Sequence, residues 1–431
     1  MSKDIIIIGA GASGLMAAKQ LSEKGLSVLV LEADSRTGGR IHTFNDPAFP
    51  TPLELGAEFI HGDLPVTLGL LDEAGIAYEP DSDTMIKIKD NKWNRTDDFI
   101  DGWEEMIEKM KTVKIDMSLR SFLDIYYKDN KHQALKKDVI RFAEGFDLAD
   151  VNLVSMQFLL NEWKQENNQQ YRIPEGYSQL TDYLSQKVQE NGSKLVTGVK
   201  VEKVEWKQNQ VTIKSSTGKQ YEARKVILTV PIGVIQKINT VAQIIEFNPS
   251  ITGLLTNTKY IGFGSVVKYF ASFKNFFSAE LTKSAMIISD KKIPTWWIRF
   301  YDDKVMMTGW LGGPSAIRNA GKTQQEYKEQ MLESLALMFN VDKDGLAHNL
   351  LAARAVNWAD NPFSYGAYSY EMVGSKEIKK MLRQPLAGTV YFEGEGLHEG
   401  DSPGTVESAL INGKEVATKL LASWQYNNVE R

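Results

Sequence analysis

The chain contains no cysteine among its 431 residues and has only five histidines. Without cysteine, the protein has no disulfides, thiolate nucleophiles, iron–sulfur clusters or cysteine-linked cofactor. The histidines do not form an HExxH zinc motif, and no metal site is predicted. Long hydrophobic runs are lacking too, since the N-terminal apolar run covers only residues 5–8 and the C-terminus is polar. We therefore expect no signal peptide or membrane span, and a soluble, cytoplasmic protein.

The charges nearly balance, with 50 Lys and Arg against 55 Asp and Glu, for a net charge of -5. This balance argues against a nucleic-acid partner and mildly favours cationic small molecules. Hydrophobic residues make up 42% of the chain and charged residues 24%, as in an ordinary globular protein. The length predicts about two to three domains.

The N-terminus carries a strand, glycine turn, helix and strand in the order typical of dinucleotide binding. An apolar run at 5–8 leads into Gly9-x-Gly11-x-x-Gly14, a helical stretch and a second strand that ends at Glu32. Gly9 permits the tight turn, Gly11 lets the backbone approach a pyrophosphate, and Gly14 lets helix and strand pack closely. The helix N-terminus attracts the phosphates. Glu32 would accept hydrogen bonds from ribose hydroxyls, which favours FAD or NAD over NADP.

The segment that follows Glu32 selects the cofactor. Residues 32–40 read EADSRTGGR, which matches the extended fingerprint of flavoproteins with two dinucleotide-binding domains. Arg36 and Arg40 would supply cationic donors near the pyrophosphate. FAD is therefore the predicted cofactor.

Further segments along the chain resemble motifs of one flavoprotein family. They are LGAEFIHG (55–62), YRIPEGY (171–177), the strand 199–204, ILTVPIGV (227–234), GSVVK (264–268), WADNPFSYGAYSY (358–370) and VYFEGE (390–395). Together they resemble the flavin-dependent amine oxidases, which include monoamine oxidases, polyamine oxidases and lysine-specific histone demethylases. The resemblance spans nearly the whole chain.

The resemblance implies an α/β fold in which a two-dinucleotide-binding-domain, Rossmann-like FAD domain is interleaved with an α+β substrate domain. The FAD domain is expected to combine residues 1–80, 176–250 and 385–431. The substrate domain is expected to combine 81–175 and 251–384. Helical periodicity with charged faces at 99–160 predicts helices that roof a cavity.

The family motifs place the following predicted cofactor-binding residues: Gly9, Gly11, Ala12, Ser13, Gly14, Glu32, Ala33, Arg36, Gly39, Arg40, Gly56, Ala57, Glu58, Val201, Trp358, Gly394, Glu395, Thr405 and Val406. Glu395 is the acid expected to reach the cofactor. For Glu58, contact with the cofactor and contact with a cationic substrate both remain open. Ala367 stands where monoamine oxidases carry the cysteine that links their flavin, so non-covalent FAD is expected.

The predicted catalytic residues are Lys268, Tyr368, Thr405 and His61. Lys268 lies on an apolar strand, where an ionisable group is unexpected. The resemblance implies that it holds a water against flavin N5 and assists reoxidation by oxygen. Tyr368 matches one wall of the family's amine cage, and Thr405 occupies the position of the second. His61 matches a histidine near the substrate channel of animal polyamine oxidases, and substrate, proton-relay and structural roles remain open.

The end of the chain predicts an amphipathic helix from about Pro403 to Ser423, with Ser402 as its N-cap. By resemblance, the N-terminus of this helix faces the pyrimidine end of the flavin. Its partial positive charge would stabilise the anion that forms on reduction.

The predicted reaction moves a hydride from the α-carbon of a monoamine or polyamine to flavin N5. The resulting imine hydrolyses to an aldehyde, and molecular oxygen becomes hydrogen peroxide. One alternative is an L-amino acid oxidase or a desaturase-like relative. An amino acid oxidase needs an arginine to clamp the carboxylate, with Arg95, Arg120, Arg172 and Arg299 as candidates. A second alternative is a non-catalytic FAD-binding protein, against which Lys268 and Tyr368 argue.

Overall fold

The computed structural model describes residues 2–81, 84–89, 92–95, 100–164, 169–238, 244–274 and 284–429. The strands are β1 (Lys3–Ile8), β2 (Val28–Leu31), β3 (Thr43–Phe44), β4 (Leu53–Glu54), β5 (Ile60–His61), β6 (Glu79–Pro80), β7 (Thr84–Lys89), β8 (Lys92–Arg95), β9 (Gln170–Arg172), β10 (Lys194–Val196), β11 (Val201–Lys207), β12 (Gln210–Ser215), β13 (Gln220–Leu228), β14 (Glu246–Asn248), β15 (Ile261–Phe263), β16 (Val266–Lys274), β17 (Ala285–Ser289), β18 (Thr295–Tyr301), β19 (Lys304–Gly312), β20 (Leu350–Asn357), β21 (Ser369–Glu371) and β22 (Val390–Phe392).

The α-helices are α1 (Ala12–Glu23), α2 (Pro65–Ala74), α3 (Trp103–Thr112), α4 (Leu119–Tyr126), α5 (Gln133–Gly145), α6 (Met156–Trp163), α7 (Ser178–Glu190), α8 (Ile232–Ile238), α9 (Thr252–Leu255), α10 (Pro314–Arg318), α11 (Gln324–Phe339), α12 (Lys343–Asn349), α13 (Ser375–Leu382) and α14 (Val406–Val429). Short 3₁₀ turns occur at Asn130–His132, Thr256–Tyr260, Trp358–Asp360 and Glu395–Leu397. None of these helices in the described part of the chain is both long and apolar enough to cross a membrane.

Eight of the described strands form a sheet with β13 at its centre. The order is β10-β2-β1-β13-β12-β11-β14, and β22 also pairs with β13. β1 is parallel to both β2 and β13, and β13 is parallel to β22. Ile5, Ile6 and Ile7 are fully buried, as expected for a strand with covered faces. The predicted α/β fold is confirmed.

The glycine turn docks α1 tightly on this sheet. Gly9 adopts a φ of +109°, a conformation that favours glycine. A Cβ on Gly14 would lie 2.0 Å from the Gly9 carbonyl oxygen. α14 packs against α1 with similar closeness, because a Cβ on Gly413 would lie 2.3 Å from the Ser13 carbonyl oxygen. These contacts hold α1 closely against the glycine turn and α14.

Seven further strands form a second sheet in the order β20-β16-β19-β18-β17-β7-β8. Most neighbours are antiparallel, and β17 is parallel to β7. Helices α3, α4, α5 and α6 form a cluster of their own around buried Met106, Phe122 and Leu159. The division of the chain into an FAD domain and a substrate domain stays a prediction.

The expected start of the last helix is wrong by three residues. α14 begins at Val406, and the Thr405 hydroxyl accepts a hydrogen bond from the Ser408 N–H at 3.2 Å. Ser402, the expected N-cap, has a φ of +58° and instead accepts a hydrogen bond from the Thr405 hydroxyl on its carbonyl at 2.6 Å. Because Ser402 and Gly404 both turn into the left-handed region, the helix cannot start earlier.

Candidate active site

A cavity of about 1590 Å³ extends from the glycine turn to the second sheet and the helical cluster. This volume exceeds the ~300–1,000 Å³ typical of drug-sized ligand sites. It therefore has room for a dinucleotide together with a substrate. Its walls include these predicted residues: Gly9, Gly11, Ala12, Ser13, Glu32, Ala33, Arg36, Gly39, Arg40, Gly56, Ala57, Glu58, His61, Val201, Lys268, Trp358, Tyr368, Glu395, Thr405 and Val406.

Two predicted cofactor residues, Gly14 and Gly394, do not line this cavity. Gly14 faces the turn at Gly9, so its role is the close packing of α1. The Gly394 carbonyl accepts a hydrogen bond from the Asn412 side chain at 3.1 Å, which ties the turn after β22 to α14. Both glycines therefore pack behind residues that line the cavity and have structural roles there.

The N-terminus of α1 forms the end of the cavity that suits a pyrophosphate. Gly11 precedes the helix with a φ of -78°, and a Cβ there would have no protein atom closer than the Gly38 carbonyl oxygen at 4.0 Å. The Ser13 hydroxyl is buried and has no hydrogen-bond partner among the described residues. An orphaned hydroxyl beside free helix N–H groups fits a phosphate oxygen.

Glu32 lies at the carboxyl end of β2 and is 7% exposed. One carboxylate oxygen accepts from the Ala10 N–H at 2.6 Å and the other from the Asp34 N–H at 2.8 Å. Burial nevertheless raises the pKa of Glu32. Each oxygen keeps a second lone pair for a ribose hydroxyl. The residues present therefore fit the adenosine half of FAD.

Arg36 holds the loop rather than projecting freely into the cavity. Its guanidinium donates to the carbonyls of Thr37 and Ile41 at 3.0 Å and to that of Gly39 at 2.6 Å. It also lies 3.3 Å from the Asp34 carboxylate. These bonds order the glycine-rich loop that forms one wall of the pyrophosphate end.

Arg40 connects three distant parts of the chain. Its Nη1 donates to the Ala367 carbonyl at 2.7 Å and to Glu395 Oε2 at 2.6 Å. Glu395 Oε1 accepts from the N–H and the hydroxyl of Ser369. Burial acts to raise the pKa of Glu395, but Arg40 and Ser369 more than offset it and the net pKa is lowered. The Glu395 carboxylate therefore positions Arg40 and β21, and both its oxygens have protein donors.

Lys268 lies in β16, and its side chain is 1% exposed. Its ammonium donates to Glu58 Oε2 at 2.6 Å and to the Gly56 carbonyl at 3.2 Å. The rings of Phe270 and Trp310 lie 5.6 and 5.9 Å from the same nitrogen. The structure thus gives Glu58 a partner that sequence reasoning had not identified.

Backbone pairing brings Tyr368 close to the start of β16. Gly264 and Tyr368 share a hydrogen bond of 2.9 Å, and β15 runs antiparallel to β21. The Tyr368 hydroxyl donates to the Phe146 carbonyl, and burial raises the pKa of Tyr368 well above its ordinary value. Tyr368 is therefore a neutral, fixed aromatic wall at any physiological pH.

His61 continues this aromatic lining. Its ring centre lies 6.0 Å from those of both Phe59 and Phe146, and Phe59 packs on Trp297 at 5.5 Å. Although the ring faces the cavity, the surrounding walls desolvate it and lower the pKa of His61 to about 4. His61 is therefore neutral near pH 7. Phe59 and Phe146 had no sequence signal beyond their apolar character.

Two acidic residues of the cavity wall, Asp147 and Glu162, were not predicted from the sequence as site residues. Asp147 accepts a hydrogen bond from the Trp163 indole at 3.1 Å, and burial raises its pKa to about 7. Burial, followed by the nearby Asp147 charge, raises the pKa of Glu162 to about 8. Both side chains lie among charged helices, where the sequence offers nothing to distinguish a cavity carboxylate from a solvated one.

Three of the four arginines weighed as carboxylate clamps, Arg120, Arg172 and Arg299, lie outside the large cavity's wall. Arg299 pairs with both oxygens of Asp81 at 3.2 and 2.9 Å. Arg172 lies 3.4 Å from Glu79 and 3.7 Å from Asp81. Arg120 does not line the cavity, and the side chain of Arg95 lies outside the described residues. Arg120, Arg172 and Arg299 therefore give no support to an amino acid oxidase.

A sequence model of the family described as "Flavin containing amine oxidoreductase" matches residues 12–421. The chain belongs to this family. FAD is therefore the cofactor that the cavity suits, and the predicted resemblance is confirmed.

Curated relatives cover nearly the whole chain at low identity. Lysine-specific histone demethylase 1 homolog 3 of Arabidopsis thaliana is 25% identical over 97% of this chain and 30% of its own length. Polyamine oxidase 4 of Oryza sativa subsp. japonica is 24% identical over 97% of this chain and 89% of its own length. The chain thus spans under a third of that demethylase and most of that polyamine oxidase.

Solved structures share the fold from end to end. A putrescine oxidase bound to putrescine has a TM-score of 0.81 and 20% identity, covering 98% of this chain and 99% of its own. Cyclohexylamine oxidase from Brevibacterium oxydans IH-35A has a TM-score of 0.80 and 20% identity, covering 99% of this chain and 100% of its own. At these identities the likeness concerns the fold.

Proposed function

We propose that this protein is an amine oxidase that uses non-covalent FAD and molecular oxygen. The observation that carries the proposal is the continuity of the large cavity. It joins the dinucleotide end at Gly11 and Glu32 to the pocket bounded by Lys268, Tyr368 and His61. When bound, FAD supplies the hydride acceptor, N5. The products would be an imine, which hydrolyses to an aldehyde, and hydrogen peroxide.

The chain's own residues bind and orient both ligands. The α1 N-terminus and the Ser13 hydroxyl would hold the pyrophosphate, and Glu32 the ribose. Val406 at the start of α14 would present that helix's N-terminus to the pyrimidine end. Ala367 offers no nucleophilic side-chain atom for a covalent link, so these contacts alone would retain the cofactor.

The pocket around Tyr368 would keep the amine neutral where it reacts. Its aromatic walls exclude water, which favours an uncharged amine over an ammonium. Lys268 would hold a water at the reacting end of the cavity through the ammonium donor not used by Glu58 or Gly56. A neutral His61 is available to accept a hydrogen bond from the amine.

Asp147 and Glu162 line the large cavity, and their carboxyls favour a substrate that carries a positive charge at the end next to them. A bound ammonium would lower the pKa of both carboxyls and recover the charge that burial suppresses. Both monoamines and polyamines are compatible with the pocket. The second ammonium group of a polyamine would add a contact with Asp147 and Glu162.

A peroxide-coupled screen of monoamines, polyamines and amino acids tests the proposal. We expect peroxide from at least one amine and loss of that activity in Tyr368→Ala with FAD still bound. Trp296→Phe is the matched control, because Trp296 is a fully buried core aromatic outside the cavity wall. An unchanged rate in Tyr368→Ala would remove Tyr368 from the substrate pocket.

A further inference from the structure

A second, smaller cavity meets the large one at Glu58. Its volume is about 40 Å³, and its walls include Glu54, Glu58, Arg172 and Arg299. One water molecule needs roughly 10–15 Å³ of cavity volume. The small cavity therefore has room for about two or three waters. Because Glu58 lines both cavities, it stands between the two water-accessible spaces.

Glu54 presents a polar atom without a protein partner in this small cavity's wall. Its Oε1 accepts from the Tyr177 N–H at 2.7 Å and from the Thr43 hydroxyl at 2.9 Å. Its Oε2 is buried and makes no hydrogen bond among the described residues. Arg172 Nε is also buried without a hydrogen bond, 3.7 Å from Asp81. Orphaned polar atoms beside a small polar cavity indicate bound water.

Glu58 makes the direct contact with Lys268. Its Oε2 accepts from the ammonium at 2.6 Å, and its side chain remains 16% exposed. Lys268 has three donors, of which Glu58 and Gly56 take two. The third is available to the large cavity, in whose wall Lys268 lies. Lys268, Glu58 and Glu54 therefore form a sequence of acid–base groups that connects the two cavities.

We propose that Glu54 and Glu58 form a proton relay that supplies Lys268 from water in the small cavity. The proposal rests on the proposed oxidase function, in which oxygen takes up two electrons and two protons to become hydrogen peroxide. One proton leaves Lys268, as an N–H bond breaks and an O–H bond forms on reduced oxygen, and the second proton comes with the two electrons from the reduced cofactor. Glu58 returns a proton to the lysine, and Glu54 restores it to Glu58 through water. The relay carries protons only; the electrons come from the oxidised amine.

The charges around Glu54 suit this role. Burial raises its pKa to about 7, against the lowering effect of its hydrogen bonds from Tyr177 and Thr43. The Glu58 charge raises the same pKa and the Lys268 charge lowers it. Arg172, Arg299 and Tyr301 line the same small cavity, and Asp81 pairs with both arginines. Near neutral pH, Glu54 can therefore both give and take a proton.

The test compares Glu54→Gln, Glu58→Gln and Glu58→Asp with Glu393→Gln as control. Glu393 is another buried glutamate whose pKa burial raises to about 7, but it pairs with Arg383 and lines neither cavity. FAD-loaded protein is reduced with dithionite, without any amine, and mixed with oxygen between pH 6 and 9. Wild-type protein and the Glu393 variant should show an inflection in the reoxidation rate near pH 7.

In Glu54→Gln this inflection should disappear. Glu58→Gln should reoxidise at least about tenfold more slowly, with partial recovery in Glu58→Asp. Infrared titration of the protein without FAD should show a protonated carboxyl signal that fades near pH 7. Asp147 and Glu393 also contribute to this signal, and it should be smaller in Glu54→Gln by the share of one carboxyl.

An inflection that survives in Glu54→Gln, or an infrared signal that this variant leaves intact, overturns the relay. If Glu54→Gln does not bind FAD, the pH profile of Glu58→Gln decides in the same way. If the oxidase function itself is wrong, no amine tested will reduce the flavin. The dithionite experiment still tests the relay in that case, because it does not require reduction by an amine.

Discussion

Gly11→Ala should separate cofactor binding from folding. The backbone at Gly11, with φ -78°, accepts alanine without strain, and the new Cβ would lie no closer than 4.0 Å to any protein atom. A compatible Gly→Ala change typically stabilises by about 0.4–1 kcal/mol through the unfolded chain. Alanine is less favourable than glycine at an N-cap, which offsets this gain, so the FAD-free variant should be about as stable as the wild type. The Cβ would instead occupy the space through which a pyrophosphate reaches the α1 N-terminus.

The expected loss is in FAD affinity. Displacing the pyrophosphate would weaken one or two charge-assisted hydrogen bonds, at about 1.5–3 kcal/mol each. Affinity should then fall by about tenfold to a hundredfold or more. Urea unfolding measures the stability of the FAD-free protein, and titration of flavin fluorescence measures its affinity for FAD.

Gly14→Ala provides the contrasting variant. Its Cβ would lie 2.0 Å from the Gly9 carbonyl oxygen, so overpacking of about 1–3 kcal/mol opposes the helix-propensity gain of about 1 kcal/mol. This variant should be less stable even without FAD, whereas Gly69→Ala in α2, with no atom within 4 Å, should not be. If Gly11→Ala binds FAD with the affinity of the wild type, the placement of the pyrophosphate at the α1 N-terminus is wrong.

Three other results are expected. Lys268→Met should slow reoxidation by oxygen far more than reduction by amine, and equal effects in stopped flow would contradict the role of Lys268. Denaturation should release all FAD into the filtrate, whereas flavin retained on the chain would contradict the argument from Ala367. Asp147 and Glu162 bind protons more tightly in the folded state, with pKa values of about 7 and 8, so each should lower stability by roughly 2–4 kcal/mol from pH 5 to 8. Urea unfolding across pH should show a shallower decline when Asp147→Asn and Glu162→Gln are combined, and an unchanged slope would count against those burial effects.

The dinucleotide end of the site was predictable because its determinants are local. The turn at Gly9, the helix after Gly11 and the acid at the end of β2 lie within one continuous segment, and each has a steric or electrostatic reason for its position. The structure places them as that pattern requires. The start of α14 was missed because Ser402 and Gly404 turn into the left-handed region, which a plausible serine cap in the sequence did not reveal.

The substrate end was less predictable, since its contacts join distant segments. Nothing in the local sequence around Glu58 indicates its ion pair with Lys268, which depends on β16 passing beneath the loop at residues 55–58. The same holds for Phe146 and Tyr368, and for Asp147, whose raised pKa arises from three-dimensional burial. Charge and hydrophobic periodicity indicate which face of a helix is buried, not which carboxylate meets a cavity.

The most direct test of the proposed function is anaerobic mixing of the FAD-loaded protein with a panel of monoamines and polyamines. We predict that at least one amine bleaches the flavin absorbance and that admitting oxygen restores it with release of hydrogen peroxide. Flavin that stays oxidised with every amine in the panel would contradict the proposed oxidase function.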